Sequence, residues 1–239
     1  MKSEKWDDKW VVNVLVAGCC IDLATYTFVL GLSLNNAVKF LVVQARWKTF
    51  YLTGFYALTF LVTLGRIVYF YSSLRILLAE YQDPVWTRNV YYFYYCDNIA
   101  LTSKAALGLF QIGSMIDLAI HVKLAAEKMD HSKAQTQKDA TKMMVCIVSL
   151  PLISVGMLRA KIESDSVFAP EKLTNARIIF WNSVPPTTFL GLSIGLTVAC
   201  IWLMVRMKRY FPRSLKDEGC RIKTIFIVFT VSYMIRAIT

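Results

Sequence analysis

Apolar residues in this chain of 239 residues are gathered into six blocks, separated by short polar and charged connections. The blocks run roughly over 10–32, 50–71, 92–122, 143–158, 178–207 and 222–239. A soluble core of this size would scatter its apolar positions with strand or helix periodicity; here they are clustered instead. At 1.5 Å per residue, each block covers most or all of a hydrocarbon layer about 30 Å thick. The pattern predicts an all-α, polytopic transmembrane helix bundle that forms a single transmembrane domain over 1–239. The fourth block is short and holds Pro151, which predicts a kink or an extension of the helix into its flanks. The fifth opens on Trp181-Asn182-Ser183-Val184-Pro185-Pro186. Its prolines are read as marking the helix start, where proline is tolerated. Freed carbonyls shaping a cavity are the alternative.

Composition agrees with this reading. Hydrophobic residues make up 56% of the chain and charged ones 18%, against about 25% charged in soluble proteins. The net charge of +11 raises nucleic-acid binding, but no basic run with interleaved aromatics is present, so no nucleic-acid partner is expected. Lys and Arg concentrate in the cytoplasmic connections of membrane proteins. Counted on alternate sides, nine fall with the N-terminus and the second and fourth connections. Fifteen fall on the opposite side. The N-terminus is therefore placed outside and the basic connections inside, where they offer a surface to a cytoplasmic protein partner. The third connection, 121–142, alternates in charge and is expected to prolong the third helix into the cytosol.

Catalytic chemistry has no foothold. There is no G-x-S-x-G, no H-E-x-x-H and no phosphate-binding glycine loop, so neither an enzyme nor a cofactor is expected. Six cysteines occur, four of them (Cys19, Cys20, Cys146 and Cys200) inside apolar blocks where a thiol acts as a small hydrophobe. No C-x-x-C pair exists, His121 and His131 lie far from all of them in sequence, and no metal site or disulfide framework is predicted. Val16-Ala17-Gly18-Cys19 has the look of a lipoprotein box. The apolar stretch continues unbroken past Cys19, so the match is read as coincidence.

Charges within spans are costly and mark candidate sites. Here they are Asp22, Arg66, Asp97, Lys104, Asp117 and Arg236. Arg66 and Asp97 fall at similar depths in consecutive blocks, and consecutive antiparallel helices are usually neighbours. They are the predicted ion pair, serving either to fix helix register or to line a ligand pocket. Lys104 and Gln111 follow Asp97 at intervals of seven and share its helix face, so Arg66, Asp97, Lys104 and Gln111 form the candidate polar pocket. Asp22 and Arg236 are read near the midplane of their own blocks. Asp117, with His121 one turn later, is read near the cytoplasmic end of the third. Trp86 and Tyr91 to Tyr95 suggest an aromatic belt at the outer interface. Gly108, Gly113 and Ser114, and the G-x-x-x-G of Gly191 and Gly195, are small enough for close helix packing.

Lys48-Thr49-Phe50 entering a span that carries Gly65-Arg66, with Ser232-Tyr233 and Arg236-Ala237 in the last block, resembles the seven-transmembrane, receptor-like proteins of the plant tobamovirus-multiplication type. The resemblance is carried by short matches scattered over residues 48–239. It implies an N-out seven-helix bundle, of which six spans are visible and the chain is C-terminally truncated. The rhodopsin-like receptors are a poorer match. Ile116-Asp117-Leu118-Ala119 stands where those receptors place an Asp/Glu-Arg-Tyr triplet, so no G-protein coupling is carried over. Three readings remain open: a receptor-like or scaffolding membrane protein, a transporter or channel with a polar path along the third helix, and a structural subunit of a membrane complex.

Overall fold

The computed structural model describes residues 4–43, 49–78, 84–127, 131–168 and 175–238. All of these except Thr49 and Phe211 are helical. The order is α1 (Glu4–Ala37), continued by a π-helical segment (Val38–Val43), then α2 (Phe50–Leu78), α3 (Pro84–Glu127), α4 (His131–Phe168), α5 (Asn175–Tyr210) and α6 (Pro212–Ile238). The chain is all-α. Five stretches are long and apolar enough to cross a membrane: Trp10–Phe40, Phe50–Leu78, Pro84–Ala126, Ser132–Phe168 and Asn182–Tyr210. The sixth predicted block is helical in α6 as far as Ile238, but α6 is not among these five: its first half is polar and charged, and Lys223 and Arg236 interrupt its apolar part. The block's last residue, Thr239, lies outside the described residues, as do Lys2, Arg46, Lys48, Lys128 and Lys172 from the charge count. So do the side chains of Lys5, Lys9, His131, Arg177, Trp181, Lys216 and Arg221.

The helices differ from the sequence reading at several places. The third helix does not run on to residue 142. It ends at Glu127, and the polar stretch from His131 onwards opens α4. α4 itself passes through Pro151 and extends well beyond 143–158 at both ends. The extensions are polar but suited to helix: Lys142 pairs with Asp139 at 3.2 Å, and Arg159 with Glu163 at 2.7 Å, spacings at which side chains meet on one helix face. In the fifth helix Pro185 and Pro186 lie well inside, not at the start. They remove two backbone donors. Nearby, the Thr187 and Thr188 hydroxyls donate to the carbonyls of Ser183 and Val184 at 2.7 and 2.8 Å.

The chain divides into two compact units, to which α2, α3 and α4 each contribute parts. The first comprises Met1–Lys48, Tyr56–Lys104 and Ile153–Leu173. Small residues bring its helices together. A Cβ on Gly65 would sit 3.1 Å from the Cys96 carbonyl oxygen and from the Ala100 methyl, so α2 and α3 touch there almost backbone to backbone. Gly156 of α4 stands directly against the Thr102 side chain of α3. Tyr69 stacks on Phe93 at 4.5 Å between ring centres, and Tyr26 of α1 stacks on Phe70 at 5.6 Å. Otherwise α1 is little covered, and none of its most apolar stretch is buried.

The second unit comprises Thr49–Phe55, Ala105–Leu152 and Thr174–Thr239. Its core is a stripe on α5, Phe189, Leu192, Leu196, Cys200, Leu203 and Met207, all buried. The intervals of three and four place these residues on one face. Leu203 and Met207 meet Ala119 of α3, and Leu192 approaches Gly108. Gly113 receives the Tyr51 ring from α2 and Val145 from α4, and Gly54 faces the Phe110 ring. Of the G-x-x-x-G pair, Gly195 packs near Ile112. Gly191 has nothing within 4 Å, so only half of that motif is a contact.

Candidate intramembrane polar site

The predicted pair forms. Arg66 Nη1 donates to Asp97 Oδ1 at 2.6 Å, linking α2 to α3 in the first unit. The arginine side chain is 11% exposed and the aspartate 33%. The guanidinium also lies 5.3 Å from the centre of the Tyr69 ring, and Tyr69 is held in turn by Phe93. A short charge-assisted bond over an aromatic face is one of the stronger ways to hold an arginine out of water.

The next residue along α3 makes a second link, which the sequence reading missed. Asn98 is almost fully buried. Its Nδ2 donates to Glu163 Oε2 at 2.6 Å and to the Tyr94 carbonyl at 3.0 Å. Arg159 closes on the same carboxylate, with Nε 2.8 Å and Nη2 2.7 Å from Glu163 Oε1. Adjacent residues on a helix point about 100° apart. Asp97 and Asn98 therefore tie α3 to α2 on one side and to α4 on the other. Arg159 lies one residue past the fourth apolar block, 143–158, and so reads from sequence as a connection charge. The Arg159–Glu163 spacing of four was the available signal that the helix continued.

Lys104, the next member of the predicted stripe, is half-buried in the same unit. Gln111 belongs to the second unit, where its Oε1 accepts a hydrogen bond from the Tyr233 hydroxyl at 3.0 Å. Tyr233 is 1% exposed and stacks between Phe189 and Phe229. Arg66 and Asp97 belong to a charged cluster in one unit, while Gln111 belongs to a neutral contact in the other.

Asp117, in the second unit, is half-buried, with Oδ2 3.6 Å from His121 Nε2. Lys138 of α4 brings its ammonium to 2.7 Å from Nε2 and 3.1 Å from Nδ1 of the same imidazole. An ammonium has no lone pair, so the ring nitrogen it contacts is the acceptor. Asp22 is half-buried near the middle of α1 and makes no hydrogen bond or ion pair among the described residues. Arg236 is exposed in the last turn of α6, not at the helix middle. α6 begins at Pro212, which moves its centre back to Ile225.

Several sealed polar atoms have no hydrogen-bond partner among the described residues. They are Ser72 Oγ, Asn98 Oδ1, Ser103 Oγ and Arg159 Nη1 in the first unit, and Tyr51 OH, Gln111 Nε2, Asp117 Oδ1, Ser149 Oγ and Thr230 Oγ1 in the second. Among the described residues no three His, Cys, Asp or Glu side chains come together as a metal would require. No protein-family model, curated protein or solved structure matches the sequence.

Proposed function

We propose that this multi-pass membrane protein, which carries several helices fit to cross a membrane, is receptor-like or scaffolding, with its N-terminus outside, its basic connections facing a cytoplasmic partner, and no catalytic activity. One observation carries this reading: four half-buried charges where α2, α3 and α4 meet in the first unit are spent on one another. Arg66 meets Asp97 and Arg159 meets Glu163, with Asn98 bonded to the same glutamate. Such pairs hold three helices in fixed register and leave no net charge to offer a passing ion. A bundle locked in this way suits a protein that presents surfaces to partners.

A transporter or channel is the second reading. It is favoured by the sealed, unsatisfied polar atoms of Asn98, Gln111 and Asp117 along α3, groups that a hydrated path would satisfy. Ion and solute flux in proteoliposomes separates the two. The proposed function expects flux no greater than in protein-free vesicles, for the natural chain and for Lys104→Ala alike. A flux that Lys104→Ala abolishes would reassign the protein to transport.

A further inference from the structure

α5 carries a second stripe, opposite in character to its buried one. Ile194, Val198, Ile201 and Val205 are each 57–60% exposed, and their intervals of four, three and four hold them on one face. In a membrane-spanning helix this is a face toward lipid tails. The same face is continued by Lys208 and Arg209, in the last turn and both exposed. The change from aliphatic to basic takes place within one turn.

Two aromatic residues flank that boundary. The Arg206 guanidinium lies 5.0 Å from the Trp202 ring centre, and that of Arg209 lies 5.3 Å from the Tyr210 ring centre. Tryptophan and tyrosine favour the headgroup level of a bilayer, where one end of the ring is apolar and the other wet. Beyond Phe211, exposed Arg213 opens α6. Arg206, Lys208, Arg209 and Arg213 have no acidic partner among the described residues. Over 206–223 the chain holds seven basic residues against two acidic ones, Asp217 and Glu218.

We infer that the end of α5 is a binding site for the headgroup of an acidic phospholipid, with Lys208 and Arg209 below the lipid-facing stripe and Arg206 beside them holding the phosphate. The tails lie along Val198, Ile201 and Val205. The inference rests on the membrane-spanning reading of α5 but not on orientation or on receptor-like function. An acidic segment of a partner protein is the competing occupant. The lipid is favoured because the cations lie at the foot of an exposed aliphatic stripe, where an amphiphile fits and a soluble peptide does not.

Each basic residue near an acidic membrane surface changes affinity by about fivefold. The full chain, purified in neutral detergent, is offered equal amounts of phosphatidylcholine and phosphatidylglycerol, and retained lipid is counted by native mass spectrometry. The expected result is a preference of about tenfold for phosphatidylglycerol, declining as salt is raised. The Arg206→Gln/Lys208→Gln/Arg209→Gln variant brings it to near parity, and Lys133→Gln/Lys142→Gln leaves it in place. No preference in the natural chain overturns the inference. So does a preference that survives in the triple variant, or one lost equally in both variants, which would reflect diffuse charge. Displacement of the lipid by an equimolar polyglutamate peptide would transfer the site to an acidic protein partner and overturn it likewise. Loss of flux or of signalling bears on the function proposed above and leaves this lipid count untouched.

Discussion

Each unit is held together internally with a different balance of forces. In the first, apolar contacts are joined by buried pairs of opposite charge: Arg66 to Asp97 across α2 and α3, and Asn98 with Arg159 on Glu163 across α3 and α4. In the second, the α5 stripe packs on small residues of α3 and Tyr233 bonds to Gln111, while Lys138 of α4 meets the His121 imidazole of α3. Apolar packing in a bilayer lacks a hydrophobic driving force, because lipid tails are as apolar as leucine. It therefore holds helices only as well as the surfaces fit. A buried ion pair is sensitive in another way: intact, it adds little to stability, but losing one partner strands a charge. The first unit should be brittle toward removal of a single side chain, and the second should respond gradually to changes in shape.

The sharpest break of that comparison is Asp97→Leu. It strands Arg66, whose side chain is 11% exposed, and should cost about 3 kcal/mol, the lower end for breaking a buried pair. The loss is read from unfolding midpoints in mixed micelles. Arg66→Leu/Asp97→Leu should recover most of it, since the pair itself is worth little against apolar replacements. If the double variant is as unstable as the single one, Arg66 acts through its contact with Tyr69 and not through charge.

Five of the six predicted spans and the Arg66–Asp97 contact were legible because both follow from local rules, block length and the cost of a buried charge. Glu163 was not, because the fourth block was bounded by its apolar run while the helix is carried onward by polar residues at i, i+4 spacing. Lys138 was missed as a partner of His121 for the same reason: it was assigned to a connection, yet it lies in α4, where it meets α3. The stripe of Asp97, Lys104 and Gln111 was correct in helical phase. Phase along one helix does not state which neighbour each residue meets: Asp97 bonds to Arg66 of α2, and Gln111 to Tyr233 of α6. Gly191 makes the same point, since spacing alone cannot distinguish a packed glycine from an open one.

A smaller loss is expected from Gly156→Ala. The new methyl would run into the Thr102 side chain, and overpacking of this kind costs about 1–3 kcal/mol. Gly156→Ala with Thr102→Ser, which removes the obstructing methyl, should regain part of the loss. In the second unit, Tyr233→Phe keeps the ring stack and deletes only the bond to Gln111. Hydrogen bonds between membrane helices average about 0.6 kcal/mol, so the midpoint should move slightly. A shift as large as that of Asp97→Leu would mean that the second unit too depends on a polar lock, and the contrast between the units would fail.

Gly191→Ala should have the least effect and is the strictest test of the packing argument. Gly191 shares a G-x-x-x-G spacing with Gly195, and from sequence alone both look like contact points. Only Gly195 has a neighbour, Ile112, against which an added Cβ would lie 3.1 Å away. An alanine at 191 adds a methyl in open space and removes a flexible backbone position, which by helix propensity alone gains up to about 1 kcal/mol. The expected outcome is no destabilisation at 191, and at 195 a less favourable result by whatever displacing the Ile112 methyl costs. If Gly191→Ala destabilises as much as Gly195→Ala, something packs at 191 in the membrane. The lipid-facing side of α5 would then be a protein interface, reaching at Ile194 the stripe that leads down to the basic end of the helix.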